Sequence, residues 1–356
     1  MINWRNLALM ALLAVGALPS QFGFANGQVM RRPAAAFNVS YFNKLTSRQR
    51  MQFAVAAVTM RGSELSNISF TTHGRVENFG HGAKQGTWIT ADDFDMRRRG
   101  ISYWIHLKQY YSPDHQSFTN YYSSWNGTVE RGVSFQGTNS SADCVITDKQ
   151  FNGIRANAYL DMLGFRVDTP LYDTTLAVYL RHALRNKWQQ YSVRARLSAD
   201  GPDLVVRVST GSVAKSYRYR HYREYRLAVN RGFMPVRYRE IYRSQGKVVA
   251  MTTAKVTSAK LVNGVWAPMA VKETSQNSAM PGVRSVQAVR VKRFAVRTVK
   301  PEDLRLKFPK GSRLLNLIKM RSYYKNHRGK LVPQPLYIPQ SGKILRPGPS
   351  TAGKPN

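Results

Sequence analysis

The chain is poor in acidic residues and nearly free of cysteine. Its 356 residues carry 19 Asp and Glu against 54 Lys and Arg, with one cysteine, Cys144. A lone cysteine excludes an internal disulfide, so the fold must rest on its packed core. The histidines (His73, His81, His106, His115, His182, His221 and His327) lack paired metal-ligand spacing. No nucleotide-binding loop, zinc-protease helix motif or serine elbow occurs. GHGAKQG (80–86) is glycine-rich but lacks phosphate-loop spacing and reads as a flexible turn. Asp92, Asp93 and Asp95 offer oxygen ligands suited to Ca²⁺. Their neighbours Arg97, Arg98 and Arg99 make a charge-balanced solvated loop the plainer reading. Cys144 would need an adjacent base to act as a nucleophile, and none is identifiable, so a small buried thiol is expected. No catalytic residue, metal or cofactor is nominated.

Long apolar runs are also missing after the N-terminus. Met1 to Arg5 gives a short positive start, and Leu7 to Leu18 an apolar stretch too short to span a bilayer comfortably, which takes roughly 20 residues. Gly23-Phe24-Ala25 then supplies small residues for cleavage after Ala25. This is the three-part pattern of a secretory signal peptide, 1–25, with an N-terminal membrane anchor as the competing reading. An exported protein without disulfides points to a bacterial periplasm, cell envelope or extracellular location. Sequons at Asn38, Asn67, Asn126 and Asn139 are treated as chance.

What is abundant is positive charge. It predicts attraction to polyanions: an anionic membrane surface, lipopolysaccharide, acidic polysaccharide or nucleic acid.

Residues 26–44 read as a loose leader. Thr46 to Met60 predicts a helix, with Thr46 and Gln49 as a capping box and Met51, Ala54, Val55 and Val58 on one face. From Asn67 the period falls to two. Tyr103, Ile105 and Leu107 alternate with Trp104, His106 and Lys108, so both faces of this strand are partly apolar and coverable. Strands at Phe118–Trp125 and Val129–Phe135 flank Asn126-Gly127. A second helix is expected from Thr169-Pro170 to near Asn186. Hairpins follow around Asp200-Gly201, Asn230-Arg231-Gly232 and Asn263-Gly264, the last a type I′ signal, and Val283–Val299 is a further strand. Sequential hairpins imply an antiparallel meander. Residues 319–356 are rich in Pro, Gly and Lys and read as a disordered or surface-laid tail.

YRYRHYREYR (217–226) carries the clearest pattern. Strand geometry puts Tyr217, Tyr219, Tyr225 and Leu227 on one face. Arg218, Arg220 and Arg226 take the other, and His221 and Arg223 interrupt the first. On the next strand Val236 and Tyr238 oppose Arg237, Arg239 and Arg243. An even hairpin loop pairs Tyr225 with Tyr238, Leu227 with Val236, Arg223 with Glu240 and Glu224 with Arg239, joining apolar to apolar and charge to opposite charge. Stacking platforms for nucleic acid need aromatics and cations toward one ligand. Here the period separates most of them, so nucleic acid is disfavoured.

RGFMPVRYRE (231–240), LVNGVWAPMAVKE (261–273) and VKPEDLRLKFPKGSRLLN (299–316) together resemble the lipoprotein-carrier (LolA-like) superfamily, nearest to its secreted bacterial branch. The resemblance covers roughly residues 45–318. It implies a mainly β fold with a few α-helices: a curved antiparallel sheet or half-open β-barrel with a helical lid, its apolar interior holding acyl chains. Tyr103, Ile105, Leu107, Tyr217, Tyr219, Tyr225, Leu227, Val236 and Tyr238 become candidates for that interior. Arg218, Arg220, Arg226, Arg237, Arg239 and Arg243 become candidates for an anionic partner. The expected function is an exported, non-catalytic binder or carrier of lipid or lipoprotein acyl chains. The competing readings are a basic structural or adhesive cell-surface protein, and an envelope hydrolase.

Overall fold

The structure is a computed structural model. It describes residues 39–80, 87–111, 117–137, 142–148, 158–165, 175–185, 192–211, 219–277, 283–338 and 343–345. The expected signal peptide, Tyr217, Arg218 and the Thr169-Pro170 helix start lie outside these.

The strands in chain order are β1 (Asn67–Phe79), β2 (Thr87–Arg99), β3 (Ser102–Tyr110), β4 (Phe118–Trp125), β5 (Glu130–Gln136), β6 (Asp143–Thr147), β7 (Ser192–Ser198), β8 (Gly201–Gly211) and β9 (Tyr219–Ala228). They continue with β10 (Met234–Ser244), β11 (Lys247–Val262), β12 (Val265–Asn277), β13 (Arg284–Val296), β14 (Arg313–Asn316), β15 (Arg321–Lys325), β16 (Leu331–Gln334), β17 (Leu336–Ile338) and β18 (Lys343–Leu345). The helices are α1 (Val39–Lys44), α2 (Ser47–Glu64), α3 (Ala158–Leu163) and α4 (Leu176–Arg185).

The protein is mostly β, built on one large, curved, unclosed sheet. Its order is β16-β15-β14-β6-β5-β4-β3-β2-β1-β13-β12-β11-β10-β9-β8-β7. Two meanders, β1–β6 and β7–β13, meet where β1 pairs antiparallel with β13. All neighbours are antiparallel except β14, which joins β6 in parallel. Residues 321–334, within the segment read as a tail, extend that edge as β15 and β16. β17 and β18 form a separate hairpin.

Local chemistry explains the joints. Asn263 (φ 48°) and Gly264 (φ 82°) take the two positive-φ positions of the β11–β12 turn, as type I′ demands. Thr46 caps α2 as expected: Gln49 N donates to Thr46 Oγ1 at 3.3 Å, and Thr46 N to Gln49 Oε1 at 2.8 Å. Met51, Ala54, Val55 and Val58 are buried, with Phe53 and Ala57. The end of the expected loose leader is α1, whose Phe42 is buried edge-to-face on Phe53 at 5.6 Å.

One continuous core joins α1–α4 to one face of the sheet, here called inner, from Phe70, Phe94 and Ile105 across to Val206, Tyr225 and Leu227. α3 packs on β10–β13, and α2 and α4 pack on each other and on β7. A smaller core lies on the outer face, where Leu306, Phe308 and Leu314 cover Val133, Cys144 and Trp104. β3 is therefore covered on both faces, with Tyr103 and Ile105 inward and Trp104 outward.

Candidate functional site

The β9–β10 hairpin pairs largely as its sequence dictates: Tyr225 with Tyr238, Arg223 with Glu240, Glu224 with Arg239. One pairing differs. Leu227 faces Pro235, and Val236 is a bulge, after which Arg237 falls opposite Arg226. Proline lacks the ladder donor, and a bulge at such a position restores register for the rest of the strand.

The inner face of this hairpin is graded. Ala195, Val206, Tyr225, Tyr238 and Ala254 form one cross-strand row, all buried. The Tyr225 and Tyr238 rings lie 5.1 Å apart. The next row inverts the chemistry. Arg223 Nε donates to Glu240 Oε1 at 2.6 Å, and His221 Nε2 shares that oxygen at 2.7 Å. Tyr238 and Tyr242 hydroxyls each donate to Glu240 at 2.7 Å. His221 stacks on Tyr242 at 4.2 Å, and the Arg223 guanidinium lies 6.0 Å over Tyr179 of α4. Burial opposes ionisation of Glu240, but the bond from His221 and the Arg223 charge prevail and hold its carboxyl down at about 2.

Two further carboxyls sit on the inner face. Burial, then the Glu240 charge, pushes Glu273 up to about 7. Asp92 folds over Gly74, where an added Cβ would meet its Oδ1 at 2.0 Å. Burial raises the Asp92 carboxyl, and its Oδ1 is buried without a hydrogen-bond partner among the described residues. The expected aspartate loop is therefore strand β2, which splits its carboxylates between faces. Asp93 points outward to His73 at 3.0 Å, Lys292 at 2.8 Å and the Tyr110 hydroxyl at 3.1 Å. Asp95 meets Arg97 at 3.5 Å. No group of three metal-ligating side chains occurs among the described residues. Cys144 is buried, and burial pushes its thiol up.

Of the interior candidates, Tyr103, Ile105, Tyr225, Leu227 and Tyr238 are buried in the continuous core, and Leu107 packs against it. Val236 is half-buried at the bulge, and Tyr219 opens β9. Of the arginines, Arg220 and Arg237 are exposed and Arg226, Arg239 and Arg243 half-buried. Sequence reading passed over Glu273 and placed Asp92 in a solvated loop rather than on an inward strand face. Strand parity was the available signal: Glu273 follows Val271 by two residues, and Asp92 precedes Phe94 and Met96 by two and four.

No family model matches the chain, and no curated protein matches it. Among solved structures it is similar to a DUF1329 family protein from Desulfovibrio piger, at 8% identity and a TM-score of 0.41 over 72% of this chain and 99% of that one. It is also similar to MucB, solved in complex with MucA(peri), at 10% identity and a TM-score of 0.13 over 70% of this chain and 96% of that one. At these values neither carries a functional argument. No helix among the described residues is long and apolar enough to cross a membrane.

Proposed function

We propose that the protein is an exported, non-catalytic binder of acyl-bearing amphiphiles, its cargo held between the inner face of the sheet and the helices α2–α4. The observation that carries this reading is the grading of the inner face. A broad aliphatic and aromatic floor runs through Leu227, Val271, Val289 and Phe70, and gives way on β9 and β10 to the Arg223–Glu240–Tyr242 cluster. An amphiphile has the same two-part character. Apolar contact alone, at roughly 25 cal/mol per Å², holds an acyl chain without any specific bond. α3 has only six residues and α4 ten, so each can shift without breaking the sheet's hydrogen-bond ladder. The outer arginines Arg226, Arg237 and Arg239 give the carrier an exterior suited to an anionic envelope surface.

The test is purification from the envelope without detergent, followed by native mass spectrometry and solvent extraction. A stoichiometric amphiphile released on unfolding is expected. A chain of bare mass, which also fails to take up fatty acid added in solution, contradicts the reading.

A further inference from the structure

The outer face of the same hairpin carries a second, separate feature. A cleft of about 160 Å³ opens there, lined by Arg196, Val205, Glu224, Arg226, Arg237 and Arg239, with Ser198, Ala199 and Asp200 at its rim. By the same measure a single water needs roughly 10–15 Å³, so the cleft admits a polyatomic group with some of its hydration. Buried Val205 forms the floor between Arg196 and Arg226, its cross-strand partners.

The charges do not balance. Arg226 Nε binds Asp203 at 2.7 Å, and its Nη1 reaches the exposed Asp200 at 3.3 Å. Glu224 is held by Arg207. The three carboxylates are thus taken up by two arginines, Asp203 and Asp200 by Arg226 and Glu224 by Arg207. Arg237 and Arg239 make no ion pair among the described residues, and Arg239 Nε is buried without a hydrogen-bond partner. The bulge at Val236 sets Arg237 directly opposite Arg226. Like charges in direct cross-strand register destabilise a sheet, and an anion between them removes that repulsion. Planar guanidiniums match the oxygens of a phosphate two at a time.

We propose that this cleft is a binding site for a phosphate group, borne either by a small solute or by an anionic phospholipid headgroup. Arg237 and the Arg239 Nε supply unpaired donors, while the Arg239 Nη2 donates to Met251 Sδ at 3.8 Å. Asp200, held only through one exposed contact, is the rim carboxylate that moves aside. The site is independent of the acyl cargo: a protein with no amphiphile inside would still bind phosphate here, so failure of one reading leaves the other standing.

Calorimetry of the full chain with inorganic phosphate at low salt provides one arm. Sedimentation with phosphatidylcholine vesicles, with and without about one-fifth phosphatidylglycerol, provides the other. R237Q/R239Q is expected to weaken binding at least about tenfold. R220Q/R243Q removes the same charge from the far end of the hairpin, where Arg220 and Arg243 are also opposed, and is expected to change binding less than about twofold. Saturable phosphate binding without vesicle capture identifies a solute. Capture that phosphate competes away identifies a headgroup. Absence of binding in both arms, or equal loss in the two double variants, overturns the site.

Discussion

The two faces of the β9–β10 hairpin solve opposite problems with the same residue types. On the inner face Arg223 is buried beside Glu240, whose two oxygens also take His221, Tyr238 and Tyr242. On the outer face Arg237 is exposed opposite Arg226, and no carboxylate meets it among the described residues. Buried guanidinium must be compensated inside the fold, because breaking such a pair strands a charge in low dielectric. Exposed guanidinium can wait for a partner in solution. The contrast separates arginines that hold the structure from arginines available to a ligand.

The sharpest way to break this contrast is Glu240→Ala. It leaves Arg223 buried without its carboxylate and should cost about 3–5 kcal/mol, read as a shifted urea midpoint. Glu273→Gln should act in the other direction, with a pH signature. The folded Glu273 titrates at about 7 against 4.5 for the ordinary carboxyl, so the unfolded chain loses that proton first and stability falls as pH rises through this window. The glutamine variant removes the fall. It should gain up to about 3 kcal/mol at pH 8 and little at pH 4. Glu240 has the opposite sign: its carboxyl sits at about 2 against 4.5, so its stabilisation is complete above pH 4.5 and is lost as pH drops toward 2.

Smaller effects sharpen the comparison. Tyr238→Phe removes one donor to the buried Glu240 and should cost about 2 kcal/mol by denaturant unfolding. Arg237→Gln, on the outer face, should fall within about 0.5 kcal/mol of the parent, or slightly above it, since it relieves the repulsion with Arg226. A large loss for Arg237→Gln would show that the two faces are not distinguished as described.

Much of this hairpin could be read from its residues. Alternation fixed which side chains share a face, and opposite charges fixed the pairing of Arg223 with Glu240. The capping box at Thr46 and Gln49 and the turn at Asn263-Gly264 are local devices, and local devices are legible. The bulge at Val236 was not, because it depends on how Pro235 meets Leu227 across the ladder. Neither was the addition of β14 to β6, a parallel contact between segments about 170 residues apart, which no short-range pattern encodes. Asp92 and Glu273 are masked by their charge, which favours water, although strand parity points both inward. The packing of α3 on β10–β13 depends on tertiary burial and leaves no periodic trace in a six-residue helix.

The most direct measurement is photolabelling of the intact protein with a diazirine fatty acid, followed by peptide mapping. The account predicts saturable labelling of β9–β13 and α2–α4 at inward positions such as Tyr225, Leu227 and Val271. Labelling that scales without saturation, or that maps only to outward residues such as Arg220 and Lys247, would contradict it.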